Sequence, residues 1–249
     1  MRTTPIALMF VSLSIGCGAA AESDDAVDST PLEQQSDRAL VFAPGAHPFG
    51  QSMAQWGERW WQWIFAIPAE RNPELDASGA HCGEDQHGPV WYLASTLDPG
   101  GAATVRRTCT LPSGKPILIS PSGILNDYPC PNPDFHPAPG QSLYDFLRDG
   151  ARPSVDRVNG LTIALDGRTL ARPFDYRFAS PRLFPIRGDV SLQPVLDGCI
   201  TGSRQPAVVD GYFMMLKGLD EGLHSLSIRA TDTKGTDVTI DWTLTVRGR

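Results

Sequence analysis

The chain lacks the basic excess that a nucleic-acid-binding protein usually carries. Its 249 residues include 21 Lys and Arg against 28 Asp and Glu, which gives a formal net charge of −7 at pH 7. Attraction to phosphate groups needs a positive patch or stripe, and the sequence has neither. We therefore expect no nucleic acid among the partners of this protein.

Several catalytic and cofactor-binding motifs are also missing. The chain has no G-x-G-x-x-G or P-loop to hold a nucleotide, and no G-x-S-x-G to present a catalytic serine. No C-x-x-C occurs, and the cysteine spacing matches no zinc site. We expect no cofactor and no metal.

Long apolar runs are scarce. Ile6–Gly16 is an apolar run of 11 residues, which is too short for the ~20 residues that a membrane-spanning helix needs. Because Arg2 supplies a positive charge before it, the run is typical of a signal peptide, here over residues 1–21.

Two processing sites compete at the end of this segment. Ala19-Ala20-Ala21 predicts cleavage before Glu22. Ser14-Ile15-Gly16-Cys17 resembles a bacterial lipobox, although Leu is usual where Ser14 stands. In a lipobox Cys17 is lipidated and becomes the first residue, and Gly18 after it resembles the pattern of outer-membrane lipoproteins.

Residues 22–38 form an acidic segment. They carry six Asp and Glu against Arg38 alone, a net of −5, so most of the excess negative charge lies here. Such a composition buries too little apolar surface to fold, and it predicts a disordered tether. Residues 39–249 are predicted to form one nearly neutral body.

The composition of the whole chain favours a folded, loop-rich β protein. Hydrophobic residues make up 41%, which excludes wholesale disorder, and 24 Gly with 22 Pro disfavour a helical bundle. The clearest strand alternates apolar and polar residues from Val238 to Val246. Further strands are predicted over 89–95, 105–110, 116–120, 154–158, 161–165, 168–170, 211–217 and 223–230.

Turn signals separate these strands. Asn159-Gly160 and Asp166-Gly167 suit hairpin turns, whereas five prolines mark a loop over 129–140 near the middle of the body. Antiparallel turn signals at this strand density predict an antiparallel β-sandwich of two sheets.

One helix is predicted with both of its ends. Ser52 and Gln55 have the spacing of a capping box, and Pro68 stops the helix at Ile67. Met53, Trp56, Trp60, Trp63, Ile64 and Ile67 fall on one apolar stripe. A second, short helix is expected over 143–149, capped by Ser142 and ended by Gly150.

Four cysteines remain once Cys17 is lipidated or removed. An even number in an exported chain predicts two disulfides. Of the three pairings we prefer Cys82–Cys109 with Cys130–Cys199, because strands 89–95 and 104–110 are expected to be neighbours.

Parts of the sequence resemble known groups. The segment from Gly50-Gln51-Ser52 to Trp63, followed by Gly88-Pro89-Val90-Trp91 and Cys109-Thr110 through Gly114-Lys115, resembles a group of exported bacterial proteins of unassigned function. These proteins combine a Trp-rich helix, a G-x-V-W strand and C-T-x-P-x-G-K, and the likeness covers most of residues 49–246. Gly222 to Asp232 resembles bacterial immunoglobulin-like modules, which implies an immunoglobulin-like C-terminal part. Neither resemblance implies a catalytic residue.

The candidate ligand-binding residues are Trp61, Glu58, Arg59 and Asn126. Trp61 lies at the boundary of the apolar stripe, where an aromatic face could stack on a sugar, or it could simply extend the core. Glu58 and Asp127 are candidates for the acid pair of a glycoside hydrolase. Glu58 and Arg59 are most simply explained as a solvated helix face.

The segment His81–His87 places two imidazoles and two carboxylates within seven residues. His81, His87 and one acid could bind a divalent metal. The simpler interpretation is a polar surface loop, since an oxidised Cys82 cannot be a ligand.

These observations predict an exported bacterial envelope protein, attached to the membrane only through an N-terminal lipid or released as a periplasmic or secreted protein. Its expected function is a non-catalytic binding or structural module with a glycan or envelope polymer as partner. The alternative is a secreted hydrolase of such a polymer.

Lipidation at Cys17 can be tested directly. Metabolic labelling with a palmitate analogue should mark the wild-type protein, and Cys17→Ser should lose the label because it lacks the acceptor thiol. An unlabelled wild type that begins at Glu22 would contradict lipidation and leave export intact.

Overall fold

A computed structural model describes residues 39–97 and 100–248. The predicted signal peptide, Cys17 and the acidic tether lie outside these residues. Within them, no helix combines the length and the apolar character needed to cross a bilayer.

The described residues are mainly β. Two α-helices are present, α1 (Met53–Ala66) and α2 (Leu143–Asp156). Ten strands are arranged along the chain: β1 (Trp91–Tyr92), β2 (Ala102–Pro112), β3 (Ile117–Asp127), β4 (Val158–Leu165), β5 (Arg168–Thr169), β6 (Arg177–Ala179), β7 (Phe184–Ile186), β8 (Gln205–Leu216), β9 (Gly222–Asp232) and β10 (Asp237–Arg247).

The strands form two five-stranded sheets. The first has the order β1-β3-β8-β6, with β7 also paired to β8, and the second has the order β2-β10-β9-β4-β5. The expectation of purely antiparallel sheets is wrong at two places, since β1–β3 and β2–β10 are parallel. The chain passes from one sheet to the other between β1 and β2 and returns at β3, so β1 and β3 meet in the same direction.

Strand β8 is at the centre of the fold and is buried on both faces. Alternate residues point to opposite sides of a strand, and here Phe213 packs towards α1 while Met214 packs towards the second sheet. Gly57 of α1 lies against Phe213, and a Cβ at Gly57 would stand 2.7 Å from that ring. The glycine therefore allows the helix to approach the sheet closely.

Helix α1 has the predicted capping box and apolar stripe. The Ser52 hydroxyl accepts a hydrogen bond from the Gln55 backbone N–H at 3.3 Å, and the Ser52 N–H donates to the Gln55 side chain at 2.9 Å. Trp60 is fully buried, and its indole N–H donates to the Leu93 carbonyl at 2.9 Å. This bond ties the helix to the segment that follows β1.

Helix α2 is longer than predicted. It runs through Gly150 to Asp156, so the predicted strand over 154–158 is wrong except at its last residue. Gly150 does not end the helix; a Cβ there would stand 2.9 Å from the Asn126 amide nitrogen, so the glycine makes room for Asn126.

The two Gly-containing dipeptides have different roles. Asp166 and Gly167 have φ of 51° and 77° and form the predicted hairpin turn between β4 and β5. Asn159-Gly160 is instead an irregularity within β4, where the register with β9 shifts between Val158 and Gly160. A single strand replaces the predicted hairpin here.

The structure contains the disulfides Cys82–Cys109 and Cys130–Cys199, which is the preferred pairing. The expected reason was wrong, because β1 and β2 belong to different sheets. The loop before Cys82 reaches β2 instead, where the Thr108 N–H donates to the Ser78 carbonyl at 2.9 Å. Two disulfides indicate an extracellular or periplasmic location, since they persist in oxidising compartments.

Truncation of two adjacent tryptophans should have different effects on stability. Trp60 is fully buried whereas Trp61 is half-buried. Trp60→Ala should lower the free energy of unfolding by about 3–5 kcal/mol, and Trp61→Ala by ~1 kcal/mol because less apolar area is lost. Chemical denaturation measures both, and equal losses would contradict the difference in burial.

Candidate functional site

A cavity of about 480 Å³ lies beside the second half of β3. Its walls come from the end of α1, the end of β3, the start of β4 and the β9–β10 hairpin, together with the segments around Phe135 and Asp197. The volume falls within the roughly 300–1,000 Å³ that is usual for ligand sites. We take this cavity as the candidate functional site.

The cavity exists because β1 ends early. β1 pairs with β3 only at Ile117 and Leu118, and the Leu93 N–H makes one more bond to Leu118. The chain then turns away towards Arg107 of β2. The guanidinium of Arg107 donates to the carbonyl of Ala94 at 3.3 Å and also to that of Ser95. Beyond Leu118, no strand of the described residues covers the outer edge of β3.

Aromatic side chains form one wall. Trp61 and Phe65, four residues apart on α1, lie on the same side of the helix, with ring centroids 5.7 Å apart. Phe135 reaches the cavity from the Pro-rich loop and packs on Phe146 of α2 at 4.8 Å. The indole N–H of Trp61 is buried and has no hydrogen-bond partner.

Two carboxyl groups face each other at the end of β3. Asp127 is 2% exposed, and one of its oxygens lies within 4.8 Å of an oxygen of Asp197. Neither oxygen of Asp127 has a hydrogen-bond partner on another residue. Burial, and secondly the charge of Asp197, raise the pKa of Asp127 to about 7.

Asp197 is held by the backbone next to it. The Cys199 N–H donates to its carboxylate at 2.9 Å. Burial raises the pKa of Asp197, and this hydrogen bond partly opposes the rise. Both carboxyl groups therefore ionise less readily than a free aspartate, since burial disfavours the charged form and two like charges at this distance resist double ionisation.

The pair does not form a complete metal site. The Cys199 sulfur completes the three-residue group at Asp127 and Asp197, but it is bonded to Cys130 and is not a thiolate. Two carboxylates fall short of the roughly 6–8 oxygen ligands that calcium takes. The arrangement is better suited to accept hydrogen bonds from a ligand than to hold an ion.

Gln205 and a disulfide fix the loops around the carboxyl pair. The Gln205 amide donates to the carbonyls of Pro129 and Cys199 at 3.0 and 2.9 Å. The Cys130–Cys199 bond joins the same two segments covalently. The Pro-rich loop and the Asp197 loop are therefore held together as one wall.

Glu74 is a third buried acid in the cavity wall. The Ser95 hydroxyl donates to one of its oxygens at 2.7 Å, while the other oxygen has no partner. Burial raises the pKa of Glu74, and the Ser95 hydrogen bond and the charge of Arg107 oppose this. Trp61, Glu74 and Asp127 together hold four of the seven buried side-chain atoms without a partner in the described residues.

The structure brings together only some of the residues predicted from the sequence. Trp61 and Asn126 line the cavity, whereas Glu58 and Arg59 do not. The amide of Asn126 donates to the Leu147 carbonyl of α2 at 2.9 Å. That Trp61 and Asn126 bind a ligand remains a prediction.

The cavity does not bring together the predicted acid pair of Glu58 with Asp127, since Asp127 lines it and Glu58 does not. Glu58 lies one helical turn before Trp61, where burial raises its pKa and a hydrogen bond with Ser180 and the charge of Arg182 lower it. Asp127 pairs with Asp197 instead. Sequence reasoning missed Asp197 and Glu74, and the only local signal was the position of Asp197 two residues before a disulfide cysteine.

Arg59 has a role on the outer surface of α1. Its guanidinium lies 5.5 Å from the centre of the Trp56 ring, in a cation–π arrangement. This contact accounts for Arg59 without a ligand.

The segment His81–His87 does not gather its imidazoles around one point. His81 lies 3.9 Å from Glu84, and Glu84 accepts a hydrogen bond from Arg71 at 2.7 Å. Among residues 39–97 and 100–248, the one group with ligand spacing is that at Asp127. Asp76 organises this loop: burial raises its pKa, but bonds from Ser78 and His81 lower it to about 2.

Comparison with known proteins adds only weak structural likeness. No family model and no curated protein matches the chain. The solved structure described as "Structure of PbICP-C in complex with falcipain-2" is similar at 11% identity over 64% of this chain and 100% of that chain, with a TM-score of 0.22. A likeness at this level supports no inference about fold or function.

The carboxyl pair predicts a pH-dependent effect of Asp127→Asn. The carboxyl titrates near ~3.9 in the unfolded chain and near about 7 in the folded protein. Folded wild type therefore binds this proton more tightly, and the stability from this group is lost as the pH rises towards 7. The neutral variant should gain about 1–3 kcal/mol relative to wild type between pH 5 and pH 8.

Chemical denaturation at the two pH values measures this gain. Asp134→Asn serves as the control, because Asp134 is exposed in the Pro-rich loop and this substitution removes the same formal charge. Equal shifts for both variants would exclude a special environment at Asp127.

Proposed function

We propose that this chain is an exported envelope protein that binds a segment of an envelope or extracellular polymer in the cavity beside β3. The observation that carries the proposal is the set of unpaired polar groups on Trp61, Glu74 and Asp127. Buried polar groups are normally paired, so a cavity that keeps several unpaired is prepared for the hydrogen bonds of a ligand.

The cavity combines the two kinds of contact that such a ligand needs. Trp61, Phe65 and Phe135 offer apolar ring surface, and the carboxyl groups offer acceptors beside it. Ligand sites typically consist of such apolar walls with a few placed polar groups. A glycan chain or another polymer of the envelope has both apolar faces and hydroxyl or amide donors.

Location at the envelope rests on several independent features. The two disulfides require an oxidising compartment. The signal-peptide pattern and the resemblance to exported bacterial proteins agree with this. We propose lipid attachment at Cys17 and, from Gly18, the outer membrane as the destination.

The finer fold assignment also belongs to this proposal. We propose that the C-terminal part is immunoglobulin-like. The antiparallel β9–β10 hairpin, in register from Gly222–Val246 to Thr231–Asp237, supports this assignment. The parallel β2 strand on its far side is a departure from that pattern.

Hydrolysis of the polymer is the second candidate function. Asp127 and Asp197 form the pair of carboxyl groups that acid–base catalysis uses, with the pKa of one in the neutral range. Against it, glycosidase carboxyl groups stand roughly 5–9.5 Å apart, whereas ligand oxygens of Asp127 and Asp197 lie within 4.8 Å of each other. We therefore favour binding.

Binding can be tested with isolated envelope polymers. Mature protein should co-sediment with peptidoglycan sacculi or retain a soluble envelope polysaccharide, and Trp61→Ala should weaken this at least about tenfold because it removes the main aromatic surface. Phe174→Ala is the matched control, since Phe174 is an exposed aromatic residue outside the cavity.

Two outcomes would contradict the proposal. Equal binding by wild type and Trp61→Ala would place the ligand elsewhere. Release of soluble fragments that is lost in Asp127→Ala would identify a hydrolase instead.

A further inference from the structure

The outer edge of β3 runs along the cavity. The cavity touches seven consecutive residues, 121–127. Consecutive side chains in a strand point to opposite faces, and accordingly Leu125 packs with the α1 cluster whereas Ile124 packs towards α2. A cavity that touches the side chains on both faces of β3 must follow the backbone edge between those faces.

This edge is free over the length of a short peptide. β1 covers only Ile117 and Leu118, and the register with β8 shifts between Ile119 and Ser122, where Pro121 lies. Proline in a sheet is typical of edge strands and bulges. The segment Ser122–Asp127 remains, which spans roughly 20 Å at ~3.4 Å per residue.

A free edge normally has a cover or a use. Unpaired N–H and C=O groups along an edge pair readily with another extended chain, and natural proteins shield such edges. Here the shielding strand is absent over residues 94–97 of the described chain because Arg107 holds Ala94 and Ser95 away. The position that another strand would occupy is part of the cavity.

The far wall provides apolar surface for a chain in that position. Ile228, Ala230, Val238 and Ile240 of the β9–β10 hairpin line the cavity opposite β3. An added strand would direct every second side chain to this surface, which is how strand addition gains side-chain specificity.

The charge of the cavity is negative. Its charged residues are Glu74, Asp127, Asp197, Asp232 and Arg157, and the last two pair with each other at 3.3 Å. Glu74 is partly compensated by the charge of Arg107. The two aspartates at the end of β3 have no basic residue against them among the ion pairs of the described residues.

The spacing of the two aspartates suits a basic side chain. Charge-assisted N–H···O bonds measure about 2.7–2.9 Å, so one ammonium or guanidinium group can bond to two oxygens that lie within 4.8 Å of each other. A hydroxyl group donates a single hydrogen bond and carries no positive charge to balance the two acids.

We propose that the ligand of this cavity is an extended polypeptide segment that adds as a strand to the free edge of β3 and places a Lys or Arg side chain between Asp127 and Asp197. The inference rests on the proposed function, since it names the chemistry of the segment that the cavity binds. It favours the peptide component of the envelope over its glycan.

A synthetic peptide tests this proposal. The probe is a fluorescent seven-residue peptide of alternating Thr and Val with a central Lys, and fluorescence anisotropy measures its dissociation constant with the mature protein. Acetylation of the Lys should weaken binding about tenfold or more, because the acetylated side chain carries no charge. Methylation of alternate backbone nitrogens of the peptide should weaken binding to the same extent when the methylated nitrogens are those whose N–H groups would face β3.

Protein variants provide the matched controls. Asp197→Asn keeps an oxygen for the Cys199 N–H, and it should weaken binding of the unmodified Lys peptide but not of the acetylated one. Asp134→Asn, at an exposed position, should leave the binding of both peptides unchanged. The melting temperature confirms that each variant is folded. In NMR, peptide addition should perturb the amide resonances of residues 122–127 more than those of β5, at the other end of the second sheet.

The outcomes separate this inference from the proposed function. Binding that is insensitive to Lys acetylation and to backbone methylation would overturn strand addition. Binding of purified glycan, dependent on Trp61, with no binding of the peptide would also overturn it while the proposed function stands. Peptide binding that is lost in Trp61→Ala without any binding of isolated polymers would support the strand site and contradict the proposed partner.

Discussion

The buried guanidinium of Arg107 determines where the first sheet is complete and where it is open. Arg107 is 2% exposed, and a charge in such a place is tolerated only when hydrogen bonds replace its hydration. It donates to backbone carbonyls of Ala94, Ser95 and Glu74 and lies 5.4 Å from the Trp242 ring. The chain after β1 follows these bonds and leaves β3, and the cavity occupies the space that a longer β1 would fill.

The rest of the cavity depends on how strand β8 and the elements packed on it contact two loops that a disulfide links. Strand β8, buried on both faces, fixes α1 on one side and the second sheet on the other. The loops that carry Phe135 and Asp197 have little regular structure, and the Cys130–Cys199 bond with Gln205 holds them to β8. Positions of the binding groups are therefore set by packing and covalent bonds together.

Three residues of the cavity keep polar atoms without partners, at a cost in stability that packing elsewhere offsets. Burial raises the pKa of Asp127 and of Glu74. The free energy of the folded protein is therefore lower when these carboxyl groups are partly protonated, or when a cation or hydrogen-bond donor lies beside them. A site of this kind is destabilising by itself and becomes favourable with a ligand. The unpaired polar atoms of the cavity are thus the physical basis of the binding function that we propose.

Local chemistry made part of the structure predictable. The capping box at Ser52, the apolar stripe of α1, the alternation in β10 and the Asp166-Gly167 turn each depend on residues within one element, and the structure contains all of them. Counting cysteines in an exported chain also predicted two disulfides. The sequence pattern placed Trp61 at the boundary of α1, where it lines the cavity.

The remaining features arise from residues that are far apart in the chain. Asp197 meets Asp127, and Glu74 meets Ser95, only after the sheets have formed, and no periodicity within an element records such meetings. The parallel pairing of β1 with β3 and of β2 with β10 depends on the path between the sheets, which turn signals do not specify. Gly150 stays within α2 because Asn126, from another element, needs its space. Thus the sequence by itself determined α1, the alternation of β10, the Asp166-Gly167 turn and the cysteine count, whereas tertiary packing alone decided which acids meet and which strand edge is left open.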